Sequence, residues 1–482
     1  MTTLDERPPA LVLPSAEDPV VAAAVGAVGG PLGRHARRER RFWTPVRIIL
    51  ALTLLTCTFG FLQKAPCRSG NWVHDYQYTR ACYNDPFPLY GARGFDKPGL
   101  PYIDNPLEYP VMIGGLMHLA SELVQPFPEG ERARRFFDVT AGLMTVFALI
   151  TGICLALIHR RRPWDAALFA VSPGLLFAAF NNWDLAAAGF VALGMLAWAR
   201  RHPVLAGLAF GLGTATKLYP VVLLIPLGVL CLRAGKLRPF FITIVSAVLA
   251  WLAVNLPIAL AAPEGWKYFY SFSQERGADW GSIWYFLQHL RGPLDEGLAA
   301  GAAPARLNAF GTGLFLLLLL GVVALAWKAP RRPRVPQVMF LALVAFMISN
   351  KVYSPQFVIW VVPLAVLARP RWRTFLVWQF TEVVAFFAIW YYLIHIGNAG
   401  RGISDQPYFT ALLTRDAVLL FLAGLVVREI VRPDRDVVRQ DGTDDPAGGV
   451  LDGAPDRPSL VARRSRRGAP EPAEGAPLPE PV

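Results

Sequence analysis

The stretch FFDVTAGLMTVFALITGICLALIHRRR, residues 136–162, joins a long apolar block to a run of three arginines. The block, residues 136–158, contains a single charged side chain, Asp138. A helix needs roughly 20 apolar residues to cross the hydrocarbon core of a bilayer. Short loops rich in arginine lie on the cytoplasmic side of membrane proteins. The stretch therefore predicts a membrane-spanning helix followed by a cytoplasmic loop at Arg160–Arg162.

Apolar blocks of this kind recur along the whole chain. The 482 residues are 54% hydrophobic and only 17% charged, whereas a soluble domain carries about a quarter charged residues. The pattern predicts an all-α, polytopic membrane helical bundle of about 12 transmembrane helices. The blocks are 46–63, 136–158, 164–181, 184–199, 204–219, 220–232, 239–258, 307–328, 336–350, 355–369, 373–396 and 410–430.

Basic residues alternate between the two sides of this bundle. If the chain starts inside, every cytoplasmic loop is short and basic, and the outer loops hold most Asp, Asn, Tyr and Trp residues. The net charge of +12 then reflects topology, and nucleic acid is not an expected partner. We predict a multi-pass plasma-membrane protein with cytoplasmic termini. The basic loops are Arg160–Arg162, Arg200–Arg201, Arg233–Arg238, Lys328–Arg334 and Arg369–Arg373.

The remaining segments divide the chain into one membrane domain and two tails. Residues 1–45 and 431–482 are rich in Pro and lack periodicity, so they are predicted to be disordered cytoplasmic tails around a domain at 46–430. The two large outer loops are 64–135 and 259–306. Residues 106–125, PLEYPVMIGGLMHLASELVQ, are apolar but acidic in part. Since counting them as a span would place the following basic loops outside, we predict a juxtamembrane helix.

The first outer loop has the composition of an ordered segment. It reads NWVHDYQYTRACYNDPFPLYGARGFDKPGLPYIDNPLEYP over residues 71–110, with four Asp, one Glu and many Tyr. A flexible linker would be richer in Ser and Gly. Cys67 and Cys82 are disulfide candidates, because they lie on the side where an oxidising compartment is expected. The sequence leaves open whether they are bonded.

Two short motifs in this loop resemble those of the GT-C class of membrane glycosyltransferases. An acidic residue followed by Tyr comes early, at Asp75-Tyr76, and a Tyr-Pro element begins the juxtamembrane helix, at Glu108-Tyr109-Pro110. Within that class the chain looks most like glycosyltransferase family 87, over about residues 46–430. The resemblance implies an inverting hexosyltransferase that takes a sugar, mannose by default, from a polyprenyl-phosphate donor.

The resemblance also implies a general base, for which Asp75 is the matching position. A carboxylate within hydrogen-bond reach can take the proton of an acceptor hydroxyl as the new bond forms. The alternative role of Asp75 is to cap the following helix. Asp85, Asp96 and Asp104 are weaker candidates, because each lies beside Pro or near Gly or Asn in a turn. Glu108 either positions the acceptor, binds a metal, or caps the next helix.

A phosphate-bearing donor requires a cation at the same depth as the base. Lys217 in TATKLYP and Lys351 in SNKVYSP lie at outer helix ends, where they would bind phosphate or simply reach the headgroups. Asp184, in Asn-Asn-Trp-Asp, is a functional candidate because a carboxylate at a membrane edge is costly. Arg93 and Lys97 are fallback cations. The predicted substrate-binding residues are Tyr76, Glu108, Tyr109, Asn182, Asp184, Lys217, Tyr219, Lys351, Tyr353 and Arg401.

These residues predict a transferase with an extracytoplasmic active site. The expected partners are the polyprenyl-phosphate sugar, a glycan or glycolipid acceptor and the lipid bilayer. A divalent metal ion is an open requirement. At 354–360 the chain reads SPQFVIW, where similar proteins usually carry His, so the sugar and the acceptor are also open. The alternative is a membrane transporter or lipid flippase, although no internal repeat is evident.

Overall fold

The computed structural model describes residues 19–20, 23–24, 42–73, 75–292, 294–295, 303–440 and 442–456. Within these ranges the regular structure is helical, apart from one isolated bridge between Pro101 and Asn105. The prediction of an all-α membrane bundle is therefore confirmed. The helices are α1 Pro45–Ser69, α2 Tyr76–Thr79, α3 Pro86–Ala92, α4 Val111–Val124, α5 Glu129–Ile158, α6 Ala167–Ala170, α7 Pro173–Ala178, α8 Asp184–Ala199, α9 Pro203–Thr216, α10 Tyr219–Ala234, α11 Leu237–Ala261, α12 Pro263–Glu275, α13 Ile283–Arg291, α14 Ala305–Lys328, α15 Val335–Ser349, α16 Val358–Ala368, α17 Trp372–Gly397 and α18 Asp405–Val431.

Six of the described helices are long and apolar enough to cross a membrane: α1, α5, α11, α14, α17 and α18. The shortest of them has 24 residues, or about 36 Å at 1.5 Å per residue, which exceeds the hydrocarbon core of roughly 30 Å. The other apolar helices, α4, α8, α9, α10, α15 and the segment Pro355–Ala368, are 10–17 residues long. They pack among the long helices.

The block expected over residues 164–181 is not one helix. It consists of the 3-10 turn Pro163–Ala166, then α6 and α7. Pro173 has no backbone N–H and cannot continue a helix from the preceding turn. Ser172 instead begins α7, accepting from the Leu175 backbone N–H at 3.4 Å. This interruption turns the chain toward the Asn181–Asp184 segment.

Close helix packing fixes the end of α9. A Cβ atom added to Gly207 or Gly211 would lie 2.3 Å from the backbone oxygens of Thr243 and Ala247 on α11. Only glycine permits this approach of two backbones, a common device between membrane helices. The contact holds α9 firmly, and Lys217 follows directly at its C-terminal end.

The segment 106–125 contains the predicted short helix. Helix α4 has 14 residues, or about 21 Å, less than the hydrocarbon core. Its Ile113 and Met117 side chains are fully buried, whereas Leu119 and Leu123 are about half exposed. The helix therefore lies with one face against the bundle.

The C-terminal segment departs from the expectation of disorder after residue 431. Residues 432–440 and 442–456 pack on the end of the bundle, and three acidic side chains of this segment pair with arginines of the predicted cytoplasmic loops. The ion pairs are Arg334–Asp436 at 2.7 Å, Arg332–Asp444 at 3.2 Å and Arg233–Asp456 at 2.7 Å. Buried arginines require such partners, so the segment is ordered. Most of the predicted tail 1–45 lies outside the described residues, as do residues 441 and 457–482 of the predicted tail 431–482 and residues 293 and 296–302 of the second outer loop.

Candidate active site

A cavity of about 890 Å³ lies between the first outer loop, the loop after α12 and the ends of α9 and α15. This volume is within the range of small-molecule sites. The wall carries three carboxylates, three cations and several aromatic rings. The charged lining residues are Asp85, Glu108, Lys217, Arg276, Asp279 and Lys351.

Asp85 is the most enclosed carboxylate of the first-loop wall. Its carboxylate accepts hydrogen bonds from the hydroxyls of Tyr83 at 2.6 Å and Tyr109 at 2.9 Å. Burial raises the pKa of the Asp85 carboxyl, and these two hydrogen bonds together with Lys217 lower it part of the way back. Although Asp85 precedes α3, its side chain makes no capping hydrogen bond. Asn84 accepts from the Phe87 N–H instead, at 2.8 Å, which leaves the Asp85 carboxylate facing the cavity.

Asp75, the predicted base, lies elsewhere. Its side chain is 59% exposed, and its carboxylate lies 3.9 Å from the Arg401 guanidinium. Neither residue is among the described residues that line the cavity. Asp75 also makes no side-chain cap for α2, so the structure supports neither role expected of it. Tyr76, on the same turn, is likewise absent from the described lining.

The side chains of Asp184 and Lys217 are in contact, as expected if both belong to one site. The Lys217 ammonium lies 3.1 Å from the Asp184 carboxylate and 4.9 Å from the centre of the Tyr109 ring. Asp184 is 1% exposed, whereas Lys217 reaches the cavity wall beside Asn182. The Asn182 side chain accepts from the Asp184 backbone N–H at 2.9 Å. The Lys217 ammonium is therefore the cation near Asp85 in the cavity wall, and Asp184 pairs with it from the buried side.

Lys351 lines the cavity and also has partners in the chain, while its phosphate contact stays a prediction. Its ammonium donates to the backbone oxygens of Gln274 at 2.9 Å and Arg276 at 2.6 Å. Its own backbone oxygen accepts from the Asp279 N–H at 2.8 Å. Lys351 thus holds the loop after α12 in place. Tyr353 lies behind that wall, under the guanidinium of Arg415 at 3.7 Å.

Glu108 and Tyr219 also contribute to the wall. Glu108 accepts two hydrogen bonds from the Arg93 guanidinium, at 2.6 and 2.9 Å, so its charge is already paired. Tyr219 stacks on Trp360 with ring centres 4.6 Å apart. Asp104 accepts from the Leu100 N–H at 2.7 Å, the turn role predicted for it.

Two residues of the site were missed by the sequence reasoning. Asp279 faces Asp85 from the loop after α12; its carboxylate lies 3.3 Å from Arg276 and accepts from Ser354 at 3.4 Å. Burial raises the pKa of the Asp279 carboxyl, and Arg276 lowers it. The available signal was an acidic residue in the second large outer loop, 259–306.

Lys64 is the second missed residue, and it anchors the Asp85 loop from below. It is fully buried in α1, and its ammonium donates to the Tyr83 backbone oxygen at 3.0 Å and the Asn181 side chain at 2.8 Å. The Asp85 N–H donates to the Asn181 backbone oxygen at 2.7 Å. A disulfide joins Cys67 to Cys82. These bonds tie the first loop to α1 and to the turn before α8.

No three His, Cys, Asp or Glu side chains in the described ranges are grouped as metal ligands would be. The cavity wall offers a half-buried carboxylate, a lysine paired with a second carboxylate, and aromatic surfaces.

Known proteins share the central part of this architecture. Residues 134–349 match glycosyltransferase family 87. The range includes Asn182, Asp184, Lys217 and Asp279 but not the first outer loop. GPI mannosyltransferase 1 of Eremothecium gossypii is 25% identical over 281 residues, which is 56% of this chain and 67% of that protein.

A solved structure, ArnT from Cupriavidus metallidurans bound to undecaprenyl phosphate, aligns over 72% of each chain with 16% identity and a TM-score of 0.38. The predicted resemblance to family 87 is confirmed by the family match. With the membrane-spanning helices, the family match and the mannosyltransferase relative support a membrane glycosyltransferase.

Proposed function

We propose that this protein transfers a sugar, mannose by its resemblance, from a polyprenyl-phosphate donor to a hydroxyl of a glycan or glycolipid. The observation that carries the proposal is the cavity in which half-buried Asp85 and the ammonium of Lys217 share one wall. One group can accept a proton and the other can bind a phosphate. The lipid-linked donor is supported by the absence, among the described residues, of any large domain outside the bundle that could hold a nucleotide sugar.

Asp85 is the proposed general base. As the acceptor oxygen attacks the anomeric carbon, its proton passes to the Asp85 carboxylate and the bond from that carbon to the phosphate oxygen breaks. The electron pair leaves with the lipid phosphate, and one displacement inverts the anomeric centre. The Tyr83 and Tyr109 hydroxyls hold the carboxylate in position.

Lys217 is the proposed phosphate-binding residue. Negative charge grows on the leaving phosphate as the bond breaks, and a fixed ammonium stabilises that charge more in the transition state than in the bound donor. The ion pair with Asp184 orients the ammonium before the donor arrives. Arg276, 38% exposed at the opposite wall, is a second cation that the donor phosphate could meet.

The charge distribution supports an extracytoplasmic cavity. Asp184 and Ala199 mark the two ends of α8, about 23 Å apart at 1.5 Å per residue. The cavity lies at the Asp184 end, and arginines lie at the other. Under the positive-inside rule the arginine end is cytoplasmic, so the cavity opens to the outer face of the plasma membrane.

A donor assay tests the function. Purified protein in liposomes should transfer labelled mannose from polyprenyl-phosphate mannose to a lipid-extracted acceptor fraction, and should not use GDP-mannose. Liposomes with the Asp85→Asn protein are the control. Use of GDP-mannose alone would contradict the lipid-linked donor. Movement of an unmodified solute or lipid across the bilayer without transfer would favour the transporter instead.

The raised pKa of Asp85 predicts the pH profile. A general base works only when ionised, so transfer should decline as the pH falls through the Asp85 pKa, which burial sets above the ordinary aspartate range. Tyr83→Phe or Tyr109→Phe removes a hydrogen bond to the ionised form. Each change should therefore raise the pKa and move the acid limb of kcat/KM to higher pH.

The matched control for that profile is Tyr285→Phe. The Tyr285 hydroxyl lies 3.2 Å from the hydroxyl of Tyr392, and this pair is away from Asp85. Its acid limb should coincide with that of the wild type. If the acid limb of kcat/KM does not move in either Tyr83→Phe or Tyr109→Phe, Asp85 is not the general base.

A further inference from the structure

Asp279, in the loop after α12, is a carboxylate of the cavity wall that takes no part in the proton transfer or the phosphate contact. Its side chain is 8% exposed and lines the cavity. Burial raises the pKa of its carboxyl, and Arg276, the Ser354 hydroxyl and the Tyr353 backbone N–H lower it part of the way. Since a carboxylate can accept about four hydrogen bonds, this one can also hold a hydroxyl group of a ligand.

The backbone that carries Asp279 is fixed by two buried side chains of α18. Arg415 donates to the Gly281 backbone oxygen at 2.7 Å, and the Tyr408 hydroxyl donates to that of Trp280 at 2.6 Å. Arg415 and Tyr408 are 3% and 2% exposed. The Asp279 carboxylate is therefore held at the cavity wall before any ligand binds, which lowers the entropy cost of binding.

Three aromatic rings that line the same cavity form an aromatic layer: Tyr78, Tyr83 and Trp390. The Tyr83 ring stacks on Trp390 with ring centres 4.6 Å apart, and Tyr78 stacks on these two rings at 6.4 and 6.1 Å. Trp390 is 3% exposed, and its indole N–H has no hydrogen-bond partner among the described residues. A buried donor of this kind favours a ligand that brings an acceptor. The aromatic layer thus combines apolar ring surface with a polar group.

The base separates this part of the cavity from the cation. One oxygen of Asp85 accepts from Tyr109, whose ring lies 4.9 Å from the Lys217 ammonium. The other oxygen accepts from Tyr83, whose hydroxyl pKa is raised most by the charge of Asp85 and in part by that of Asp279. In a single displacement the acceptor and the leaving phosphate lie on opposite sides of the anomeric carbon. With the phosphate at Lys217, the acceptor lies on the side of Asp279.

We propose that Asp279 and the aromatic layer form a saccharide subsite for the acceptor. Asp279 accepts hydrogen bonds from hydroxyls of the acceptor's terminal pyranose, and the aromatic layer contacts the C–H face of that ring. This inference rests on the proposed function and restricts its acceptor to a carbohydrate. A pyranose has both an apolar face and an edge of hydroxyls, as this wall requires. A glycerol headgroup lacks the face, and an acyl chain lacks the hydroxyls.

Binding of simple sugars in the absence of any donor tests the subsite. Methyl α-mannopyranoside, methyl α-glucopyranoside and glycerol are added separately to the full chain in detergent, and binding is measured by saturation-transfer NMR. At least one pyranoside should bind, and glycerol should not. Asp279→Asn should weaken pyranoside binding about tenfold, because a neutral amide replaces the charged acceptor. The matched control is Glu264→Gln, an 88% exposed carboxylate of α12 outside the described lining, which should bind as the wild type does.

A second variant tests the subsite without altering the Asp279 loop. Trp390→Phe keeps an aromatic ring and removes the indole N–H, so it should weaken pyranoside binding about fivefold. Thermal unfolding curves of both variants show whether they remain folded. Wild-type affinity in both folded variants, or failure of the wild type to bind either pyranoside, would overturn the proposal.

Transfer kinetics distinguish a saccharide contact from a second base. Asp279→Asn should raise KM for the lipid-extracted acceptor fraction about tenfold and leave KM for polyprenyl-phosphate mannose and kcat unchanged, since the contact is made in the bound acceptor as well as in the transition state. Loss of kcat with unchanged pyranoside binding would make Asp279 a catalytic group and overturn the subsite. Because sugar binding is measured without a donor, a protein that binds pyranosides through Asp279 but transfers no mannose would reject only the transferase function.

Discussion

Replacing Asp85 by asparagine is expected to slow sugar transfer by about a thousandfold, within the range attributed to general base catalysis. The amide has nearly the shape of the carboxylate but cannot take the acceptor proton. Tyr83 and Tyr109 donate to different oxygens of the carboxylate. The amide oxygen can keep one of these hydrogen bonds, and the amide NH2 can donate to the other hydroxyl, so the loop should remain in place. The measurement is the single-turnover rate with bound polyprenyl-phosphate mannose, beside a thermal unfolding curve.

The matched control is Asp75→Asn in the same outer loop. Asp75 is 59% exposed and its nearest partner is 3.9 Å away, so its replacement should change the rate less than twofold. Surface ion pairs of this kind contribute little to stability. A large loss at Asp75 with a small loss at Asp85 would restore the assignment made from the sequence and reject the one made from the cavity.

Most of the helices could be predicted because their signals are local. Apolar length and loop arginines identified the bundle, and the turns at Asp184 and Lys217 were correctly expected to lie on one side. The choice between Asp75 and Asp85 was not local. It depends on Lys64, the Cys67–Cys82 disulfide and Asn84, which together orient the loop through contacts that no spacing reveals.

The C-terminal segment shows the same limit on a larger scale. Its Pro, Asp and Arg content is typical of disorder, yet Asp436 pairs with Arg334, 102 positions earlier. The segment is ordered because its carboxylates neutralise buried arginines. Its amino-acid composition alone does not indicate these ion pairs. Lys351 was singled out because it follows a helix, but its two backbone partners, Gln274 at the end of α12 and Arg276 after it, are 75–77 positions away and no local pattern indicates them.

Lys217→Met is expected to act on both stability and transfer. Asp184 is 1% exposed, and its carboxylate oxygens have no hydrogen bond among the described residues besides the ion pair. Removing the cation leaves a buried charge uncompensated, which destabilises a protein by about 3–5 kcal/mol. Loss of the phosphate contact should also slow transfer about a hundredfold. Thermal unfolding in detergent and the single-turnover rate measure the two effects.

The double variant Asp184→Asn/Lys217→Met separates these effects, because it removes both charges together. Its melting temperature should return most of the way to that of the wild type, since no unpaired charge is left in the wall. Its transfer rate should stay low, because no ammonium faces the leaving phosphate. Recovery of both properties would mean that Lys217 only neutralises Asp184. In that case the phosphate would be bound by the other cations of the described lining, Arg276 and Lys351.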